Sequence, residues 1–399
     1  MSFQIPDLPI EDYDKSASVV EDKIKDESGG ALTYAFIGAG QGGGRMSKAF
    51  YDLGYKKTLA VNTAKNDLEL LDIPEEHKFY IDYYGEQGAG KDQKKSQVAF
   101  ENREQEVFNK MKDIIGENVD RIMICAGIAG GSGGGSVVSL VNLAKKYFSY
   151  VGRHDASERV GVIASLPTAG EAASPKVAAN AYRKATELCN MSDEGEFTPL
   201  VIVDNNKIKK LYPKLTVKSF WPTINNTVAG LFHIFNVLAR QNSDYTAFDP
   251  QDYDSVMKAP GCMIMGVTAV KEYESDTGIA MALKSNLETT LLAEGFNLKT
   301  AKGAAGIVVG GSTIFEETAG LMDNIEHAFS TLAALTGNAM VHRGIYEDPE
   351  KEKLVVYTLI GGMERPQARL EELTKFLKLK NPKVENTIGE HFEDYGSSL

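Results

Sequence analysis

Cysteine is scarce in this chain of 399 residues, with only Cys125, Cys189 and Cys262. An odd number at unrelated spacings excludes a disulfide framework. It points to buried free thiols in a reducing compartment. The six histidines are dispersed, and no Cys/His cluster has metal-ligand spacing, so no protein-held metal is expected. Thirteen prolines in no repeating pattern exclude a fibrous or generally disordered chain. No run of 18 apolar residues occurs, so no membrane span is expected. The opening MSFQIPDLPIEDYD has no basic stretch followed by an apolar core, so no signal peptide is expected and a cytoplasmic location is. Bases are fewer than acids, 43 against 55, for a net charge of −12. That excludes direct gripping of a nucleic-acid backbone. It does not exclude nucleotides, which backbone N–H groups can hold.

Glycine is in excess. The chain has 38, and fourteen of them lie in residues 38–44, 85–90 and 127–135. Elsewhere the frequency is close to the average of about 7%. The surplus therefore belongs to three loops.

Short apolar runs alternate with helical stretches from Leu32 onward. Strands are expected at Tyr34–Ile37, Thr58–Asn62, Arg121–Ala126, Val160–Ser165 and Pro199–Val203. Helices are expected from about Arg45 to Leu53 and from Val137 to Phe148. This alternation predicts an α/β fold with a Rossmann-like parallel sheet, whose ligands sit at the carboxyl ends of the strands. A long helix follows over 222–242, with Ile224, Val228, Leu231, Phe235 and Leu238 on one stripe and Pro222 in its first turn. A second, smaller α/β domain with a mixed sheet comes next. Its strands are Cys262–Val270, Gly306–Gly310, Ala339–Tyr346 and Leu354–Ile360, and its helices Thr277–Ala293 and Thr318–Leu335. The expected organisation is an acidic flexible arm (1–30), a nucleotide domain (31–220), a central helix (221–243), a second domain (244–363) and a tail (364–399). The tail carries an amphipathic helix near Pro366–Leu379.

The first glycine loop, Gly38-Ala-Gly40-Gln41-Gly42-Gly43-Gly44, joins a strand to a helix and fits G-x-G-x-x-G. A dinucleotide fold would end the second strand in an acid, and Asn62-Thr63 stand there instead. The second loop runs from Gly85 through Gly88-Ala89-Gly90 to Lys91-Asp92. It resembles a P-loop, but Asp92 replaces the Mg²⁺-holding hydroxyl. The third loop, Ala129-Gly130-Gly131-Ser132-Gly133-Gly134-Gly135-Ser136, follows a strand and opens a helix. It presents a row of backbone donors to an anion.

Together these segments resemble the tubulin/FtsZ superfamily of GTPases, whose G-G-G-T-G-S/T-G loop matches residues 129–135. The resemblance spans roughly residues 32–363. It implies GTP/GDP as ligand, with Mg²⁺ held through the phosphates. It places Gly40, Gln41, Gly42, Gly43, Arg45 and residues 130–135 on the phosphates. Val61-Asn62-Thr63 resembles the V-N-T segment after the second strand, and Gly88, Ala89 and Gly90 the γ-phosphate-sensing loop. Glu171 in Pro167-Thr-Ala-Gly-Glu171 resembles the ribose contact. The base that FtsZ carries four residues later is missing, with Pro175 there and Lys176 following. Asn205 and the pair Asn225-Asn226 resemble the guanine contacts.

Asp249-Pro-Gln-Asp252 reads by itself as a turn and helix N-cap. The resemblance implies that Asp249 and Asp252 are catalytic acids completing the site of the next subunit in a head-to-tail filament. Ala247 stands where the family has Asn. The implied activity is polymerisation-dependent GTP hydrolysis, and the implied partner is a second copy of the chain. An adaptor reached through the tail or the N-terminal arm is a further expectation. A non-division cytoskeletal role in cell shape, or in plasmid or phage DNA positioning, is favoured over FtsZ-type division. A Rossmann NAD(P)-binding oxidoreductase is the alternative outside the class.

Overall fold

The computed structural model describes residues 29–82, 85, 88–289 and 295–378. Most of the expected acidic arm, two residues of the second glycine loop, the end of the Thr277–Ala293 helix and the tail beyond Lys378 lie outside them.

Ten strands form one sheet: β1 (Tyr34–Ala39), β2 (Thr58–Asn62), β3 (Lys78–Tyr80), β4 (Arg121–Gly127), β5 (Val160–Leu166), β6 (Leu200–Asp204), β7 (Cys262–Val270), β8 (Gly303–Gly310), β9 (Met340–Glu347) and β10 (Leu354–Met363). Their order is β3-β2-β1-β4-β5-β6-β7-β10-β8-β9. Pairing from β3 to β7 is parallel, and β10 runs antiparallel to both β7 and β8. The expected mixed sheet is therefore continuous with the parallel one. The join is short, Leu200 and Val201 against Cys262 and Met263.

β1, β2, β4, β5 and β6 are buried along almost their whole length, as a sheet covered on both faces requires, while the edge strand β3 is half-buried. Around them lie α1 (Gly40–Asp52), α2 (Gln93–Ile115), α3 (Ser132–Tyr150) and α4 (Pro175–Asp193). α5 (Asn205–Leu211) follows β6, and α6 (Val217–Leu238) is the long helix. α7 (Pro250–Met257) leads into β7, α8 (Gly278–Thr289) packs against α9 (Leu321–Leu335), and α10 (Gln367–Lys378) packs back on α4. Cys125, Cys189 and Cys262 are all buried and free. No described helix is long and apolar enough to cross a membrane.

Three helix starts differ from expectation, each for a local reason. α1 begins at Gly40 and α3 at Ser132, inside the glycine loops rather than after them. α6 begins at Val217 rather than near Pro222, because Thr216 and Ser219 form a reciprocal capping box ahead of the proline. Pro222 is thus internal, not in the first turn. The expected stripe is present: Ile224, Val228, Leu231, Phe235 and Leu238 are all buried.

α6 also carries a buried titratable group. His233 is 6% exposed, and its Nδ1 lies 3.1 Å from the Tyr55 hydroxyl, which accepts from Asn236 Nδ2. The imidazole shares a hydrogen bond with the Tyr55 hydroxyl inside the core and is neutral at pH 7. Burial pushes its pKa down to about 4 from the ordinary 6.5. Between those values the unfolded chain binds more protons, so this stability is complete above about pH 6.5 and is lost as pH falls through 4. Between pH 7 and pH 5 the wild type should lose about 2 kcal/mol from this residue. His233→Gln keeps an acceptor without titrating, so its urea unfolding should lack that part of the pH slope. Equal slopes in both proteins would refute the assignment.

Candidate functional site

At the carboxyl ends of β1, β4, β5 and β6 the surface opens into a cleft of about 400 Å³. This is where a parallel sheet places its ligands. One end of the cleft is backbone. α1 and α3 both point their N-termini into it, and neither has a side-chain cap: Ala39 and Gly131 occupy the cap positions. By contrast α2, α5, α6 and α7 are capped by Asp92, Asp204, Thr216 and Asp249. The first N–H groups of a helix lack intrahelical partners, and the dipole adds partial positive charge. Two uncapped starts facing one space make an anion site. Gln41, Gly42, Arg45, Gly88, Ala89, Gly90, Gly130, Gly131, Ser132 and Gly133 line this end, with Lys91 beside them.

Several residues that the resemblance places at the nucleotide do not line the cleft. Asn62 and Thr63 are buried. Thr63 Oγ1 shares a 2.6 Å hydrogen bond with Ser132 Oγ, and the Thr63 carbonyl accepts from Gly88 N at 2.8 Å. Thr63 thus ties two glycine loops together. Gly134 and Gly135 do not line the cleft; they let α3 sit directly on Gln93, where a Cβ would come within 2.1 Å and 2.3 Å of it. Gly40 and Gly43 likewise do not line the cleft; Gly43 is pressed against the β4 backbone.

Asp67 was not foreseen. It sits on the short helix Lys65–Glu69 after β2 and lines the cleft. Gln41 Nε2 donates to its Oδ1 at 2.8 Å and Asn62 Nδ2 to its Oδ2 at 3.3 Å. A dinucleotide fold carries its acid at the end of the second strand, whereas this chain supplies one on the short helix that follows. Among the described residues no three His, Cys, Asp or Glu side chains gather to hold a metal. Asp67 is thus a carboxylate on the cleft wall, held in place by Gln41 and Asn62.

The other end of the cleft is built from amides and an aromatic ring. Asn205, the first residue of α5, and Asn225 on α6 line it. So does Trp221, the only tryptophan in the chain. Trp221 and Asn225 are four residues apart on one helix and share a face. Placing the helix start at Pro222 leaves Trp221 outside the helix; the Thr216 cap brings it onto the cleft. Asn226 points away and is exposed, so of the expected pair only Asn225 reaches the cleft. Glu171 also lines this end, with Oε2 accepting from Thr168 N (2.8 Å) and Thr168 Oγ1 (3.0 Å). Lys176 Nζ donates to the Gly90 carbonyl at 3.4 Å.

Asp249 and Asp252 are not in the cleft. They form a reciprocal capping box on α7, with Asp249 Oδ1 accepting from Gln251 N and Asp252 N, both at 2.8 Å. Asp252 Oδ1 is 2.7 Å from His342 Nδ1 on β9, and His342 Nε2 is 2.9 Å from Ser255 Oγ. His342 is a second residue that the sequence did not flag, since it lies 90 positions away from Asp252.

α7 itself is anchored from below. Arg121 is fully buried on β4 and holds Asp254 Oδ1 through Nε (3.0 Å) and Nη2 (2.8 Å). Burial would raise the Asp254 pKa, but Arg121 and Lys258 outweigh it and keep the carboxylate below its ordinary value.

Comparison with known proteins adds an independent line. The family model described as "Tubulin-like protein TubZ, C-terminal domain" matches residues 246–367. A Tubulin-like protein TubZ from Bacillus cereus is 25% identical over 313 residues, covering 72% of this chain and 68% of that protein. A Tubulin-like protein CetZ from Pyrococcus abyssi is 24% identical over 335 residues, covering 82% and 84%. The crystal structure of a GTPγS-form protofilament of Bacillus thuringiensis serovar israelensis TubZ superposes with a TM-score of 0.75 at 20% identity, over 91% of this chain and 96% of that one.

Proposed function

This chain belongs to the tubulin/FtsZ superfamily, and from that premise we propose that it is a filament-forming cytoskeletal GTPase whose active site is completed by the next subunit. The observation that carries the proposal is a division of labour across the molecule. The cleft has an anion end, two uncapped helix N-termini, and a base end, Trp221 with Asn205 and Asn225. It lacks Asp249 and Asp252, the acids that the family resemblance makes catalytic.

GTP fits this polarity. Its phosphates take the backbone donors of α1 and α3, and Arg45 and Lys91 add positive charge. A Mg²⁺ ion accompanying GTP would supply neutralisation of the charge that develops during phosphoryl transfer, with Asp67 on the cleft wall as the nearby carboxylate. Trp221 offers a face for stacking, and the amides of Asn205 and Asn225 offer both donor and acceptor to the guanine edge. Hydrolysis further needs a water held in line with the leaving oxygen. Asp249 and Asp252, exposed or half-buried on the surface of another part of the fold, supply that function to a neighbouring copy. Such a heterologous contact does not close and so propagates as a filament.

Within the superfamily we favour a non-division filament, in cell shape or in positioning plasmid or phage DNA. The family-model match to the TubZ C-terminal domain supports that branch over FtsZ-type division. A dinucleotide oxidoreductase has no place in this assignment.

The test is to mix pure protein with GTP and Mg²⁺ and follow light scattering and phosphate release together. Phosphate release should appear only above a threshold protein concentration and track polymer mass. Release strictly proportional to protein concentration, without a threshold, would exclude a shared site. No polymer and no phosphate would sink the proposal.

A further inference from the structure

α10 is joined to the β6–α5 turn beside the cleft through one buried ion pair. Arg369 is 7% exposed and Asp204 is 3% exposed. Arg369 Nε donates to Asp204 Oδ2 at 2.6 Å and Nη2 donates to Oδ1 at 3.1 Å, a two-pronged fork between residues 165 apart in sequence. Arg369 Nη1 also meets Glu372 at 3.1 Å, which fixes the fork's orientation. Leu370 and Leu373 bury the same helix.

Asp204 already has a task. It ends β6 and caps α5, accepting from Asn206 N at 3.1 Å and Lys207 N at 3.4 Å. That cap aims the first residue of α5, Asn205, into the cleft. Asn206 carries the order one step further, since its Oδ1 accepts from Ala169 N at 3.0 Å, in the turn that bears Glu171. One chain of hydrogen bonds therefore runs from α10 through Asp204 to both walls of the base end. A buried carboxylate without its cation is costly to keep ionised. Loss of the fork would leave that carboxylate buried without its partner and free it to leave the Asn206 and Lys207 amides, loosening the turn that holds Asn205.

We propose that Arg369 is a positioning residue for nucleobase recognition: through its fork to Asp204 it sets the loop that presents Asn205 to the guanine. This rests on the reading of the cleft as a guanine-nucleotide site.

The experiment uses the full chain and the fluorescence of Trp221, which reports from inside the cleft. Wild type, Arg369→Met and Arg369→Lys are titrated with GDP and with inosine diphosphate, which lacks the exocyclic amine. A variant elsewhere on the helix, Leu373→Ala, controls for loosened docking. Arg369→Met should bind GDP at least tenfold more weakly and lose most of the preference for GDP over inosine diphosphate. Arg369→Lys, with charge but no fork, should fall between, and Leu373→Ala should melt earlier while keeping the wild-type preference. Wild-type GDP affinity and preference in Arg369→Met would overturn the proposal alone, with the nucleotide site intact. Absence of GDP binding by the wild type would overturn the site reading and this proposal with it. Should Arg369→Met be insoluble, Arg369→Lys decides: a several-fold weakening supports the role and unchanged titrations refute it.

Discussion

Asp249→Asn should stop GTP turnover while leaving nucleotide binding unchanged. Asparagine is the substitution of choice because Asp249 also caps α7, accepting from Gln251 N and Asp252 N. Asn caps a helix about as well as Asp, whereas Ala would cost roughly 1 kcal/mol of helix stability and blur the result. The variant thus removes charge and keeps the cap. Positioned acids and bases contribute about 10² to 10⁴ in rate, so phosphate release per unit of polymer should fall at least about 100-fold. The Trp221 titration should not move, because Asp249 lies outside the cleft. Polymer should form and persist longer than wild-type polymer, since the step that weakens the contact is missing. Wild-type turnover by the mutant polymer would remove Asp249 from the mechanism.

Gly43→Ala should damage the fold at the site more than any single removal of a polar side chain. A Cβ at Gly43 would lie 2.0 Å from the Cys125 carbonyl oxygen and 2.8 Å from its carbon, both backbone atoms of β4. Neither can rotate away. α1 must lift from the sheet by on the order of 1 Å, at a cost of about 1–3 kcal/mol or more. The lift carries Gln41, Gly42 and Arg45 out of the cleft wall, so nucleotide affinity should drop together with the melting temperature. Gly42→Ala is the matched control. Its nearest neighbour would be Gly127 Cα at 3.5 Å, an ordinary contact. It should melt at or slightly above the wild-type temperature, because alanine favours helix by up to about 1 kcal/mol. Equal melting of the two variants would show that α1 does not pack on β4 as described.

Much of this fold is readable locally. Cys262–Val270 has the expected bounds, and the stripe from Ile224 to Leu238 is buried as its spacing requires. The three glycine loops do cluster in one cleft, which strand–loop–helix order and the carboxyl-end rule anticipate. Trp221 was within reach of the sequence too. The Thr216–Ser219 cap was there to be read, and it moves the helix start back by a full turn.

Alternating apolar runs, an amphipathic stripe and glycine-rich turns after strands determined, without coordinates, an α/β sheet with an anion site at its carboxyl edge. Those signals act over a few residues, where backbone geometry is local. The tertiary structure alone decided which members of each motif face the cleft. Gly43, Gly134 and Gly135 serve packing, Thr63 serves Ser132, and Asn226 turns outward. It alone joined Arg369 to Asp204 and His342 to Asp252. Charge pairing of that kind depends on distance through space, and no periodicity along the chain encodes which two residues the fold will bring together.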